Sequence, residues 1–433
     1  MIKFLLLIFS AISYFAFINV INEFDWTKHT DLKEKREILL NAKGNWTLPI
    51  KYFIQSFSPT LDAETIQKAL QDIQSRTCIN FTKVDSFSRA EEGIIFIPHN
   101  EICQSLLGHS PFSYPHTIYL TVGCSQSMGI VQHEVCHALG VQHQHTRTDR
   151  DDFVSIETKN IKDDVVSEKG IFSKNDDLVF KSLGTQYDYT SVMHYSKNAY
   201  SKNGEKTIVA KNINLYENMM GQREKLNFND VKLLNGYYCS DKCKTHSLVC
   251  ENGGYKHWED CTKCVCPRGF GGDKCESIVK IGEDCPQMKL EAQNQIRKIH
   301  VNGTKKCNFL IKAKGNKKIL LLFTVVTQPK DICTPESGVE IKYMKDKAIA
   351  GLCLCGFYKR VYIKSEGSDV YIEYNGKRFD NQLVLFYALS RNNENSPGIC
   401  HRGNCFKKVG NRFEKFTSIP NGNAKQPKKK TSS

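Results

Sequence analysis

The run from His133 to His143, HEVCHALGVQH, constrains this chain more than any other stretch. His133 and His137 lie four residues apart, so on a helix their imidazoles sit on one face and can share one ion. Glu134, one position further on, reaches a water bound to that ion. Gly140 lets the backbone leave the helix through a left-handed turn and bring His143 back as a third ligand. Three imidazoles with a fourth position open is the donor set of a catalytic zinc, whereas structural zinc sites are closed by four protein ligands. The expected cofactor is therefore Zn2+, one ion per subunit, with Glu134 as the base. A bare HExxH recurs by chance, but five fixed positions in one run are far more specific.

After His143 come Gln144-His145-Thr146-Arg147-Thr148-Asp149-Arg150-Asp151. Further on lie Tyr187-Asp188-Tyr189-Thr190-Ser191-Val192-Met193-His194-Tyr195, then Gly221-Gln222-Arg223 and Tyr238-Cys239. The zinc run matches the metzincin signature, and these blocks together resemble the astacin family of metalloproteases, from Trp46 to Cys239. The resemblance implies an α+β metzincin-like protease domain: a mixed sheet plus helices above a cleft, with an irregular lower lobe. It makes His133, His137 and His143 the metal ligands, Glu134 the catalytic base, and Tyr195 a tyrosine that swings to stabilise an oxyanion, where sequence alone allows equally a packed aromatic after a turn. Met193 becomes the Met-turn residue, a packing group, since a thioether is a poor zinc partner beside imidazole. Cys78–Cys239 and Cys103–Cys124 match the family's protease-domain disulfides. His145 and His194 are expected off the metal, and Arg147, Asp149, Arg150 and Asp151 in a structural ion network. One position departs from the family. Gln144 stands where a Glu, linked through water to the N-terminus made by activation, is usual. Gln hydrogen-bonds but forms no ion pair, so activation is expected to perturb the site less than in relatives.

At 433 residues the chain is too long for one core. Its 18 cysteines, mostly at module-like spacings, imply an oxidising compartment and disulfides. Lys3 ahead of the apolar run 4–20 reads as a secretory signal peptide, 1–18; an uncleaved anchor is the alternative, because the run approaches the length of a membrane span. Residues 19–36 read as a propeptide ending at the dibasic Lys35-Arg36. In the resembled family a propeptide Asp fills the fourth zinc position; Asp25 is the candidate here and Asp31 the alternative. Sequons at Asn45, Asn80 and Asn302 are candidate glycosylation sites of a secreted, extracellular chain.

Within the protease domain, 37–240, Ile50–Ile54, 93–97 and 117–122 read as strands and 126–139 as the zinc helix. Residues 63–74 read as a helix with Ile66, Leu70 and Ile73 on one face. The stretch 140–238 reads as mostly irregular. Residues 241–276 carry Cys243, Cys250, Cys261, Cys264, Cys266 and Cys275 around Asn252-Gly253-Gly254 and CPRGFGG. This resembles an EGF-like module, which is too short to be stable without disulfides. Six cysteines permit many pairings; the resemblance implies Cys243–Cys261, Cys250–Cys264 and Cys266–Cys275. Alternation at 318–326, 339–344, 361–364, 370–374 and 383–389 makes 285–390 resemble a CUB domain, an all-β sandwich. Its bridges would be Cys285–Cys307 and Cys333 with Cys353 or Cys355. Residues 391–433 read as a basic polar tail in which Cys400 and Cys405 are close enough to pair. Cys136 and one of Cys353 or Cys355 are left over; Cys136, three residues after His133, reads as a small buried core residue, with a reactive thiol or a competing ligand as the alternatives.

Part of the +14 net charge lies in that tail, at Lys428-Lys429-Lys430. Contact with acidic glycans or extracellular matrix through the CUB domain and tail is one expectation, a solvated end the other. Nothing resembles a nucleic-acid module, and no membrane span is expected beyond the signal. Two functions compete. One is a secreted zinc endopeptidase, made as a zymogen and hydrolysing peptide bonds in extracellular proteins. The other is a secreted binding protein, catalytically weak or inactive, that works through its EGF and CUB surfaces. The complete set of three histidines and a glutamate favours the first.

Overall fold

The computed structural model describes residues 38–39 and 46–416, apart from 58–59, 89–90, 110–113, 168–170, 177–178, 212, 283–284, 286–287, 391–398, 402–403 and 410–411. Between 399 and 416 it describes backbone only. The expected signal peptide, propeptide, Asp25, Asp31, Asn45 and the terminal lysines lie outside the described residues.

The expected protease domain opens with β1 (Ile38–Leu39) and continues into β2 (Ile50–Ile54), β3 (Phe81–Lys83), β4 (Ile94–Pro98), β5 (Gln104–Ser105) and β6 (His116–Leu120). The last five form one sheet in the order β3-β2-β4-β6-β5, parallel except for the β5–β6 pair. Alternate side chains of β2, β4 and β6 are buried, among them Ile50, Ile94, Phe96, Ile118 and Leu120. They share a core with α1 (Ala63–Arg76), which buries Ile66, Ala69, Leu70 and Ile73. Asp62 starts α1 by accepting the Thr65 N–H at 3.0 Å, satisfying a donor the helix cannot pair.

The second helix, α2 (Met128–Ala138), is shorter than the sequence reading of 126–139. Ser127 takes an extended backbone and caps it, and a separate turn, Val122–Ser125, precedes it. Beyond α2 the lower lobe has few regular elements: β7 (Val154–Ile156) pairs with β9 (Ile208–Ala210), and β8 (Phe180–Lys181) pairs with β1. The stretch expected to be irregular nevertheless ends in α3 (Phe228–Tyr238). Asn227 and Asp230 form a reciprocal capping box there, and Val231, Leu233 and Leu234 sink into the upper-lobe core. Disulfides join Cys78 to Cys239 and Cys103 to Cys124.

Next comes a small disulfide module. Its two hairpins are β10 (Tyr255–Lys256) with β11 (Cys264–Val265), and β12 (Phe270–Gly271) with β13 (Ser277–Ile278). The structure bonds Cys243–Cys261, Cys250–Cys264 and Cys266–Cys275.

The C-terminal β unit has two sheets. One joins β14 (Lys289–Glu291), β16 (Lys306–Lys312), β21 (Asp369–Asn375), β18 (Val339–Lys342) and β19 (Leu352–Leu354), and the other β15 (Arg297–Asn302), β22 (Gln382–Leu389), β17 (Ile319–Val326) and β20 (Phe357–Lys364). Val301, Phe309, Leu321, Phe323, Ile341, Ile372 and Leu385 fill a core common to both. Cys285 bonds Cys307, and Cys333 bonds Cys355, which leaves Cys353 a buried thiol. Three further strands, β23 (Ile399–His401), β24 (Asn404–Val409) and β25 (Arg412–Phe416), form an antiparallel meander inside the expected tail. Cys400 and Cys405 are register partners in it, and their side chains lie outside the described residues.

Candidate metal centre

Helix α2 enters the protein through close contacts that only certain residues allow. A side chain at Gly129 would collide with the Arg223 backbone. Gln132, fully buried, donates to Asp72 of α1 at 2.7 Å and accepts the Leu226 N–H at 2.8 Å. These contacts pin the helix between α1 and the segment that leads into α3. At the other end Gly140 has φ +90°, a conformation that side chains resist. The Val141 N–H then reaches back to the Cys136 carbonyl at 2.8 Å, closing the helix and turning the chain.

That turn brings three imidazoles together. His137 Nε2 lies 3.1 Å from His133 Nε2 and 3.2 Å from His143 Nε2. His133 Nδ1 is 2.9 Å from the Val192 carbonyl, and His137 Nδ1 is 2.8 Å from the Val141 carbonyl. A carbonyl only accepts, so each Nδ1 carries the proton and each Nε2 offers a lone pair. Bare lone pairs this close repel unless a cation lies among them, so the donor set fits a metal ion. Burial, aided by Arg223, pushes His137 down to about 4. Burial and neighbouring imidazoles hold His133 and His143 well below the usual histidine range. Neutral nitrogen donors suit zinc. Among the described residues this is the one cluster of three or more such groups.

Glu134 is buried beside the cluster. Burial pushes its carboxyl up to about 7, against the opposing pull of Arg223 and the Ser105 backbone. Tyr195 lies with its ring 4.4 Å from His143 and stacked 4.1 Å from His145. Burial first, then neighbouring Tyr200, raises its phenol above the ordinary range. Met193 is buried under the site, and its carbonyl accepts the Gln144 N–H at 3.0 Å.

The other imidazoles are committed elsewhere. His145 Nε2 donates to the Ile171 carbonyl at 2.9 Å. His194 donates to the Tyr195 carbonyl at 2.6 Å and accepts from the Tyr187 hydroxyl at 2.7 Å. Arg147 and Asp149 form a buried two-pronged pair at 2.8 and 3.1 Å, and Arg150 holds the His145 carbonyl at 3.1 Å. Cys136 is buried with its thiol pushed well up by burial, so it is an inert packing group. The side-chain nitrogen of Gln144 is buried with no acceptor among the described residues.

Two residues that bear on the cluster, Asp230 and Arg223, were given no role from sequence. Asp230 accepts from Ser191 Oγ at 2.6 Å and the Val192 N–H at 3.0 Å, and so fixes the peptide that orients His133. The pattern Asn227-x-x-Asp230 is a cap signal that marks its helix but not this second task. Arg223 is a buried guanidinium that donates to the His194 carbonyl at 3.1 Å and acts electrostatically on Glu134 and Tyr195.

A family model described as Astacin, a peptidase family, matches residues 39–239. The zinc metalloproteinase nas-34 of Caenorhabditis elegans is 33% identical over 371 residues, covering 84% of this chain and 59% of the relative. Residues 39–239 form an astacin-family domain. Another relative, the zinc metalloproteinase dpy-31 of Haemonchus contortus, is 34% identical over 247 residues, 57% of this chain and 44% of that one. A solved structure, high choriolytic enzyme 1 (HCE-1), a hatching enzyme zinc-protease from Oryzias latipes (medaka fish), is 30% identical with a TM-score of 0.38, covering 47% of this chain and 98% of that chain. The chain thus spans between two fifths and three fifths of the length of these two curated relatives. The cluster of His133, His137 and His143 fits the zinc site expected of an astacin domain.

Proposed function

We propose that the chain is a secreted zinc-dependent endopeptidase, made as a zymogen and acting on extracellular proteins. The observation that carries the reading is the convergence of three neutral imidazoles, two of them anchored through Nδ1, beside a buried carboxylate of raised pKa. Zinc, when bound there, supplies Lewis acidity and water acidic enough to react near neutral pH. Glu134 takes a proton from the attacking water and returns it to the leaving amine, a task suited to a base poised near pH 7. Arg223 favours the ionised form of Glu134, keeping it a base. The Tyr195 hydroxyl donates a hydrogen bond to the oxygen on which charge develops. His145 stacks on the Tyr195 ring and sets the side from which it approaches.

Further support concerns maturation. Ile38, just after Lys35-Arg36, is wholly buried, and the Leu39 N–H bonds the Gly140 carbonyl at 3.0 Å. The described residues that follow the dibasic site, Ile38 and Leu39, are thus tied to the turn that presents His143. The small module and the C-terminal β unit are proposed to be an EGF-like domain, 241–276, and a CUB domain, 285–390, built for extracellular contacts. Seven disulfides among the described residues support an oxidising compartment. Asn80 and Asn302 are exposed and open to glycosylation. No helix among the described residues is long and apolar enough to cross a membrane.

The test is Glu134→Gln in the mature protein. Turnover of a denatured protein substrate should fall by about 10²–10⁴-fold, the usual contribution of a general base, with zinc stoichiometry unchanged. A zinc chelator should abolish the wild-type cleavage. Undiminished cleavage by the variant would remove Glu134 from the mechanism, and a wild type inert after processing would favour the binding-protein reading.

A further inference from the structure

The C-terminal β unit does not simply hang from the protease domain. Its core is continuous with that of the lower lobe, where Tyr189, Tyr216, Met219 and Met220 join Val339, Leu352 and Cys353 in one buried cluster. The Cys353 N–H points at Met219 Sδ, 3.3 Å away, and the Tyr216 hydroxyl donates to Tyr343 at 3.0 Å. Around this core the polar contacts also cross. Thr334 Oγ1 donates to Glu224 at 3.0 Å, one residue from Arg223. Arg268 of the disulfide module pairs with Glu373 and, at 3.1 Å, with Glu336, which also meets Lys225 at 3.1 Å.

One crossing contact reaches the Met-turn itself. Asp188 is 1% exposed, so its carboxylate depends on protein donors. Oδ1 accepts the Thr190 N–H at 2.9 Å and its hydroxyl at 2.8 Å. Oδ2 accepts the Ala350 N–H of the β unit at 3.1 Å. From Thr190 the restraint passes along the chain: Ser191 and Val192 are held by Asp230, and the Val192 carbonyl orients His133. Residues 187–195 contain no strand or helix. Their backbone is held by a few turn and crossing hydrogen bonds together with these side chains, and not by a ladder, and such segments open locally at little cost once a tie is cut.

We propose that the C-terminal β unit is a positioning element of the catalytic site: the Ala350 amide, through Asp188, sets the Met-turn backbone that aims His133 and Tyr195. The proposal rests on the endopeptidase reading for its kinetic part only. The Ala350–Asp188 contact makes the second half of the chain part of the machine that cuts, instead of a tethered adaptor.

The test uses the full mature chain with Ala350→Pro, which deletes the N–H, and Asp188→Asn, which sets a donor against it. Leu322→Ala serves as the control; Leu322 lies in a separate small cluster of the β unit. Loss of a hydrogen bond to a buried carboxylate should speed amide exchange of Thr190 and Val192 by about tenfold or more. The kcat should fall with KM nearly unchanged, while Leu322→Ala alters neither. If Ala350→Pro does not fold, Asp188→Asn decides. Unchanged exchange in the folded variants overturns the proposal, and so does faster exchange with kcat intact. A wild type without proteolytic activity refutes the endopeptidase reading instead, and exchange alone then decides whether the β unit sets the Met-turn.

Discussion

The upper lobe closes on itself. Alternate residues of β2, β4 and β6 pack with α1 and α2, and their core stops at the protease domain, taking in Val192 and Met193 from the turn below. The lower lobe has only two- and three-residue strands, and its buried Tyr187, Tyr189, Tyr216, Met219 and Met220 belong to a core that continues into the C-terminal β unit. Two zinc ligands ride on the self-sufficient lobe, and the third, with Tyr195, on the dependent one. The comparison teaches how one site can draw on a lobe with a core of its own and on a lobe whose core is shared with a distant module.

The sharpest way to break this contrast is to cut a cavity in each core. Ile73→Ala and Met219→Ala should each cost about 2–5 kcal/mol, but with different reach. In hydrogen exchange, Ile73→Ala should loosen β2 and β4 alone, while Met219→Ala should loosen the lower lobe and the β unit together. Separate melting of the β unit in Met219→Ala would refute the shared core. A second test is chemical. Tyr195→Phe should lower kcat by about a hundredfold, near 2.7 kcal/mol, with little change in KM, as expected for a donor used only in the transition state.

The upper lobe also carries a pH signature. His116 is fully buried, against Trp46 and 2.9 Å from Ser105 Oγ. Burial first, then His109, pushes it down to about 4. Its unfolded value is near 6.5, so as pH falls the unfolded chain binds the proton first. Stability from this group is therefore complete above about pH 6.5 and declines toward pH 4, by at most about 1.4 kcal/mol per pH unit. Urea midpoints measured across that window should fall less steeply in His116→Asn. The smallest expected effect is at the entrance to α1, where Asp62→Ala removes a cap and should cost about 1 kcal/mol in thermal or urea unfolding.

The same contrast governs what could be read from the chain. Strand β2 and the apolar face of α1 follow simple periods, 2 and 3.6, so their pattern is local. Helix α3 escaped because its residues, with Asn, Gly and three aromatics, show little period; the capping box and burial of Val231, Leu233 and Leu234 make it helical. Strands β7 to β9 are too short to show a period. In the β unit, β19 spans three residues and β15 alternates polar and apolar positions only from Lys298 to Asn302, at a sheet edge, and neither was anticipated. The tail that looked merely polar contains β23 to β25, whose apolar content is too low to mark strands.

Helix spacing and a glycine exit are properties of neighbouring residues, so the three imidazoles and their zinc were determined by the sequence alone. Everything that tunes them came from far along the chain: Val192 and Asp230 choosing the tautomer of His133, Arg223 facing Glu134, Cys355 taking Cys333 from Cys353, and Ala350 reaching Asp188. Such pairings depend on which distant groups are buried together, and burial, unlike spacing, is decided only when the whole chain has packed.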